Sequence, residues 1–138
     1  MRRYRDGLFA LAPLPPAPHG APLEAAASPL ALPPPLGELD WELAAGAAGR
    51  TLSVCFGAAG LRCRRRGRPS AGLKALVQDA GVPAWLRPYV PLVVVDGRLA
   101  GVAGVTLCVG PLRRLRWRGH PWEDRGWLSP EVVSGATG

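Results

Sequence analysis

The sequence predicts an α+β fold: a small mixed or antiparallel β-sheet, or a sandwich, with one main helix packed on it. Three observations lead there. Short runs rich in β-formers recur at residues 51–56, 91–95, 98–102 and 105–109. A single stretch, residues 70–80, carries helical spacing. The length of 138 residues suits one domain of ordinary size with an irregular flank. Strands before and after one central helix place that helix over one sheet face.

Taken in order, residues 2–11 (RRYRDGLFAL) predict a hairpin about Asp6-Gly7, a favoured two-residue turn. Nine of the 16 prolines fall in residues 1–36, so residues 12–36 read as an extended surface loop or linker, partly polyproline II. Residues 38–45 suit a short strand or a turn of helix around Trp41. Residues 51–56 (TLSVCF) alternate as a strand does, 57–60 turn, and 61–65 form the paired strand. In the helix, Ser70 is the expected N-cap. Leu73, Leu76, Val77 and Ala80 share one apolar face, and Lys74, Gln78 and Asp79 point outward. Gly81 stands where a left-handed C-cap belongs.

Pro83 opens a short turn through Arg87, which Pro88 ends. Residues 91–95 are too short an apolar run for a helix and read as a buried strand. Asp96-Gly97 turns it into a returning strand at 98–102, and 105–109 adds a third. Residues 112–127 interleave arginines with Trp117, Trp122 and Trp127 and show no period that assigns an element. The predicted organisation is a Pro/Ala-rich lead-in and linker over 1–50, ending a preceding domain, a folded domain over 51–110, and an Arg/Trp-rich tail over 111–138.

Cys55, Cys63 and Cys108 are odd in number, with no C-x-x-C, and His19 and His120 are the only histidines. Neither a zinc site nor a disulfide framework is expected; each cysteine reads as a small buried apolar residue, which suits a reducing cytoplasm. Arg2, Arg3 and Arg5 followed by Leu8-Phe9-Ala10-Leu11 imitate the start of a signal peptide, but Asp6 and Pro13, Pro15 and Pro16 break the pattern, so a cytoplasmic protein is expected. No apolar run approaches the ~18 residues of a spanning helix, so no membrane partner is expected.

Charge gives the strongest functional signal. Residues 1–60 carry 4 basic and 5 acidic side chains, a net of −1; residues 61–138 carry 13 and 5, a net of +8. All but one of the cations are arginine, which forks onto phosphate where lysine is a point charge. GC-rich codons raise the arginine count but do not cluster it. Arg62, Arg64, Arg65, Arg66, Arg68 and Lys74 lie within residues 61–74 with no acid among them. A strand–loop–helix entry of this kind brings guanidiniums to successive phosphates, and the helix N-terminus from Ser70 to Leu73 offers N–H groups for the same purpose. The bland reading is a solvated charged loop. Trp85 and Trp117 suit either base stacking or the core. Catalysis is not predicted: the glycine clusters GAAG and GVAG lack the following Lys-Ser/Thr of a P-loop, and Glu123 and Asp124 are adjacent and would point to opposite faces of a strand.

Residues 67–105 carry a family resemblance. Gly67-Arg68, Leu73-Lys74-Ala75-Leu76, Gln78-Asp79, Gly81-Val82-Pro83-Ala84-Trp85-Leu86-Arg87, Pro91-Leu92, Asp96-Gly97 and Val102-Ala103-Gly104 follow in an order that resembles the C-terminal domain of bacterial tRNA(Ile)-lysidine synthetase. Residues 2–11 resemble the segment preceding that domain. The chain departs from the family at Ala71-Gly72 and Ala75, where basic residues are usual, and at Cys55 and Gly57, where arginines are usual.

The resemblance implies an α+β domain that helps hold tRNA, largely by the backbone of its acceptor stem. The tRNA-binding residues it and the charge pattern together suggest are Arg62, Arg64, Arg65, Arg66, Arg68, Ser70, Lys74 and Arg87. The complete enzyme uses ATP to adenylate the wobble cytidine of an isoleucine tRNA and then couples lysine to it. That chemistry, with its ATP and Mg, belongs to a domain carrying a Ser-Gly-Gly-x-Asp-Ser loop, which is missing from this sequence. No cofactor is therefore expected in this chain; the catalytic domain or a second copy of the chain are its further expected partners. A start at Met1 beside the domain suits a truncated or split gene as well as an isolated domain. Two other readings stand beside this one: a stand-alone basic RNA-binding module, and a degenerate remnant without function.

Overall fold

Antiparallel pairing organises the structure, a computed structural model that describes Pro18 and residues 22–47, 50–57, 61–65 and 67–133. The hairpin expected at 2–11 lies outside the described residues. The first sheet has the order β1-β4-β7-β8-β9, from Leu23–Ala25 (β1), Leu52–Cys55 (β4), Leu92–Val95 (β7), Arg98–Val102 (β8) and Thr106–Leu107 (β9). The second has the order β11-β10-β3-β2, from Glu131–Val133 (β11), Leu112–Arg118 (β10), Glu38–Leu43 (β3) and Leu30–Ala31 (β2). A short hairpin pairs Arg62–Cys63 (β5) with Ala71–Gly72 (β6) and runs directly into the helix Leu73–Asp79 (α1). Mostly antiparallel sheets with one main helix make the fold α+β. Among the described residues no helix is long and apolar enough to cross a membrane.

The burial pattern explains the sheets. β7 is the central strand of its sheet, and Leu92, Val93 and Val95 are buried, so its apolar run is continuous rather than alternating. It turns through Asp96 (φ 54°) and Gly97 (φ 78°), the left-handed pair that a tight hairpin requires. β3 alternates cleanly: Leu39 and Trp41 are buried, while Glu38, Asp40 and Glu42 sit on the other face. One hydrophobic cluster takes in both sheets and Leu76 and Val77 of α1. The sheets meet closely at Gly101, where a Cβ would stand 3.1–3.2 Å from methyl carbons of Leu107, Leu112 and Leu115. Gly37 is still tighter. At φ +75° its missing Cβ would overlap the carbonyl oxygen of Arg118, and Trp117 Nε1 donates to the neighbouring Leu36 carbonyl at 2.7 Å.

Several expectations need correction. The proline-rich stretch 12–36 is not all loop: β1 pairs with β4 and β2 with β3, and Leu32 and Leu36 are buried. Residues 38–45 settle as a strand, and 112–118 form the strand β10, bulged between Leu112 and Arg114. The third strand of the 91–109 region shrinks to Thr106–Leu107. The helix begins at Leu73 with Gly72 as N-cap and no side-chain cap; Ser70 lies before the hairpin strand β6 and bonds to Arg62 instead. Its buried face is Leu76 and Val77, with Leu73 half-buried and Ala80 exposed. Gly81 does take the left-handed conformation (φ +80°) and closes the helix by donating to the Gln78 carbonyl.

The cysteines also differ from expectation. Cys63 and Cys108, 45 residues apart, form a disulfide, and Cys55 is the free thiol. An odd count hid the pair, because parity says nothing about which cysteine is left over. The bridge ties β5 to the chain just after β9, beside a hydrogen bond from the Val109 N–H to the Arg64 carbonyl.

Two outcomes follow from the packing. Leu76 is 2% exposed, so Leu76→Ala is expected to cost about 2–5 kcal/mol by urea unfolding. Replacing Cys63 and Cys108 together by serine is expected to cost about 2–4 kcal/mol, because the bridge closes a long loop. A thiol reductant should lower the unfolding midpoint of the wild type and leave the double variant unmoved.

Candidate nucleic-acid interface

The arginines divide into two sets according to what faces them. On the outer face of the second sheet, β3 presents Glu38, Asp40 and Glu42, and β10 runs antiparallel to it with Arg118, Arg116 and Arg114 at the matching positions. Arg118 pairs with Glu38 at 2.5 Å and Asp40 at 3.8 Å. Arg114 pairs with Glu42 at 3.7 Å and with Glu131 of β11 at 3.3 Å. Arg50 pairs with Asp96. Exposed pairs of this kind contribute about 0–1 kcal/mol each, but they cancel charge locally. Two cations of the C-terminal half, Arg114 and Arg118, are thus paired with acids of the N-terminal half.

The second set has no such compensation. Among the described residues, no acidic side chain forms an ion pair with Arg62, Arg64, Arg65, Arg68, Lys74 or Arg87. Arg62 lies on β5; Arg64 and Arg65 follow it; Arg65, Gly67 and Arg68 make a turn closed by a bond from the Arg68 N–H to the Arg65 carbonyl. Lys74 stands in the first turn of α1, and Arg87 opens the 3-10 turn Arg87–Tyr89. Arg66 lies outside the described residues. Arg62, Lys74 and Arg87, far apart in sequence, converge on one cavity of about 460 Å³ between the hairpin, the helix and that turn. The sequence reading named these residues but not their meeting place, since no local spacing encodes it.

Two of the three cations at this cavity are held in position. Arg62 donates from Nε to the Ser70 hydroxyl at 3.1 Å and from Nη2 to the Ser70 carbonyl at 3.0 Å. Arg87 donates from Nε to the Val82 carbonyl at 3.0 Å. Ser70, expected among the ligand-binding residues, here orients an arginine. The expectation of an anion site at the helix N-terminus is also corrected: the helix spans only seven residues, and the Leu73 N–H already donates to the Leu61 carbonyl. Arg64 and Arg68 are exposed, whereas Arg65 is half-buried.

The tryptophans lie in the core or pack against it. Trp117 is 1% exposed, and Trp85 packs edge-on against Trp122 and Trp127 at centroid distances of 6.1 and 5.8 Å. His120 is buried, stacked on Trp117 at 3.9 Å, and its Nδ1 accepts the Trp122 N–H at 3.3 Å. Burial holds its pKa below the usual 6.5, against the opposing pull of Glu123. Burial raises the Cys55 thiol, which makes it a poor nucleophile. Among the described residues, no group of three or more His, Cys, Asp and Glu could hold a metal ion.

Comparison with known proteins places this surface in context. Residues 52–118 match the family described as TilS substrate C-terminal domain. The chain is 41% identical over 71 residues to a tRNA(Ile)-lysidine synthase of Azoarcus sp. (strain BH72), covering 46% of this chain and 16% of that protein. It is 44% identical over 54 residues to a protein of the same name from Methylococcus capsulatus, covering 38% and 12%. For the Ralstonia nicotianae protein of that name the figures are 41% over 64 residues, 46% and 13%. The chain therefore spans a small fraction of the length of these relatives.

The buried imidazole gives a pH test. His120 is neutral in the folded state, while the unfolded chain takes up a proton near pH 6.5, so stability falls as pH drops below that value. The melting temperature of the wild type is expected to fall more steeply between pH 7.5 and 5 than that of His120→Asn, which keeps an acceptor but does not titrate. Parallel curves for the two proteins would contradict a neutral buried His120.

Proposed function

We propose that this chain, whose residues 52–118 match the TilS substrate C-terminal domain family, grips tRNA through the backbone of its acceptor stem. On this reading it acts as the tRNA-holding part of a tRNA(Ile)-lysidine synthetase. The observation that carries the reading is the uncompensated cationic set Arg62, Arg64, Arg65, Arg68, Lys74 and Arg87, on the same matched segment as the cavity. A double-stranded stem offers phosphates and 2′-hydroxyls across a shallow minor groove, and a cluster of cations on one hairpin, the first turn of the helix and a 3-10 turn suits that shape. Arg66 joins the set by sequence.

Binding and catalysis are separate tasks in this reading. Lysine and ATP are handled by the catalytic domain, and this chain raises the local concentration of the tRNA beside it. It needs no cofactor of its own. Alone it turns nothing over; with the catalytic domain, or as a pair of copies, it positions the substrate. Backbone contacts carry little sequence information, so the chain holds RNA stems generally and leaves choice of the wobble base to other parts of the enzyme.

Salt dependence tests the grip. Three or four phosphate contacts give a slope of about −3 to −4 in log K against log salt. Fluorescence anisotropy with labelled tRNA is expected to show that slope, flattened by about 1–2 in the Arg64→Ala/Arg68→Ala variant with its fold intact. An unrelated tRNA is expected to bind within about tenfold of the isoleucine tRNA, and duplex DNA less well. A flat salt response, or unchanged binding by the variant, would overturn the reading.

A further inference from the structure

We propose that the cavity between the β5–β6 hairpin, α1 and the 3-10 turn is a pocket for one unpaired nucleotide, which it takes by its base and phosphate together. The inference rests on the RNA-binding reading above and adds a site to it. The cavity has two chemically different parts. Its walls are aliphatic, from Leu61, Leu73, Val77, Val90 and Leu92; its charged groups are Arg62, Lys74 and Arg87, with no acid among the lining residues. A bare phosphate gains nothing from aliphatic walls, and a purely apolar ligand leaves three cations unmatched. An occupant that joins an apolar body to a strongly anionic end matches both parts, and a nucleotide is such a molecule. The volume of about 460 Å³ falls among small-ligand sites. It has room for one such unit and none for a base-paired step of a duplex.

The cations are arranged for this. Ser70 fixes two of the three guanidinium nitrogens of Arg62, and the third, Nη1, lies 3.7 Å from where a Cβ on Gly72 would stand. Val82 holds Arg87 through Nε, which leaves its two terminal nitrogens for a ligand. Both forks are therefore preorganised, and little ordering entropy is lost on binding phosphate. Arg64 and Arg68, exposed just beyond, continue the positive surface toward a stem. An unpaired nucleotide at the end of that stem, or a free mononucleotide, shares the required chemistry; continuity with the cationic hairpin favours the RNA end.

The test compares two RNA hairpins of identical stem, one blunt and one with a single unpaired 3′ nucleotide, by anisotropy at fixed salt. The unpaired nucleotide is expected to tighten wild-type binding about tenfold, through burial of its apolar surface against the aliphatic walls. Leu73→Trp fills the cavity while keeping every cation, and is expected to abolish that gain and leave blunt-hairpin affinity unchanged. Leu61→Trp fills it from the hairpin side and should do the same, so the result does not hang on one variant folding; circular dichroism checks both. Millimolar adenosine 5′-monophosphate is expected to remove the gain. Equal binding of the two hairpins by the wild type with no binding of the free nucleotide, or a gain that survives in both filled variants, overturns the pocket while leaving the backbone grip intact. Salt-insensitive binding of the blunt hairpin overturns the grip instead. Micromolar binding of the free nucleotide with no gain from the unpaired one overturns the assignment to an RNA end.

Discussion

β3 and β10 lie side by side although their residues are separated by most of the chain, Glu38 opposite Arg118 and Leu43 opposite Leu112. This pairing closes the second sheet and determines which arginines remain available to a ligand. Its inward face buries Leu39, Trp41, Leu115 and Trp117, and apolar burial at roughly 25 cal/mol per Å² holds the strands together. Its outward face sets three acids against three arginines. Exposed ion pairs contribute too little to explain the pairing, so their importance is electrostatic. They quiet Arg114 and Arg118, while the hairpin, the turn after it and the start of the helix stay an uncompensated positive surface.

Much of the fold was legible because its signals are local. The apolar run of β7, the Asp96-Gly97 turn, the alternation of β4 and the left-handed Gly81 each rest on a few neighbouring residues. The rest depended on partners far away. Leu23–Ala25 is a strand because β4 supplies an edge to it, and nothing in its own composition says so. Residues 112–118 looked aperiodic because arginines stand on one face and Leu115 and Trp117 on the other, with a bulge upsetting the alternation near Leu112. The Cys63–Cys108 bridge and the pairing of Arg114 and Arg118 with Glu38, Asp40, Glu42 and Glu131 are likewise invisible to local spacing. For the site, the cationic cluster was readable as composition. The convergence of Arg87 with Arg62 and Lys74, and the use of Ser70 to aim Arg62, were tertiary facts.

Rigidity links fold to binding. The disulfide and the Val109–Arg64 hydrogen bond fasten the hairpin to the sheet, the helix follows it without a linker, and carbonyl or hydroxyl groups steady two of the guanidiniums. Charges so placed lose little freedom when they meet phosphate. Two populations of arginine on one small protein, one neutralised and one left open, form the central claim. The most direct measurement is arginine-selective chemical modification read by mass spectrometry, with and without bound tRNA. Protection at Arg62, Arg64, Arg68 and Arg87 with no change at the paired Arg114 and Arg118 is the predicted result. Protection of the β10 arginines with the hairpin arginines left reactive would contradict it.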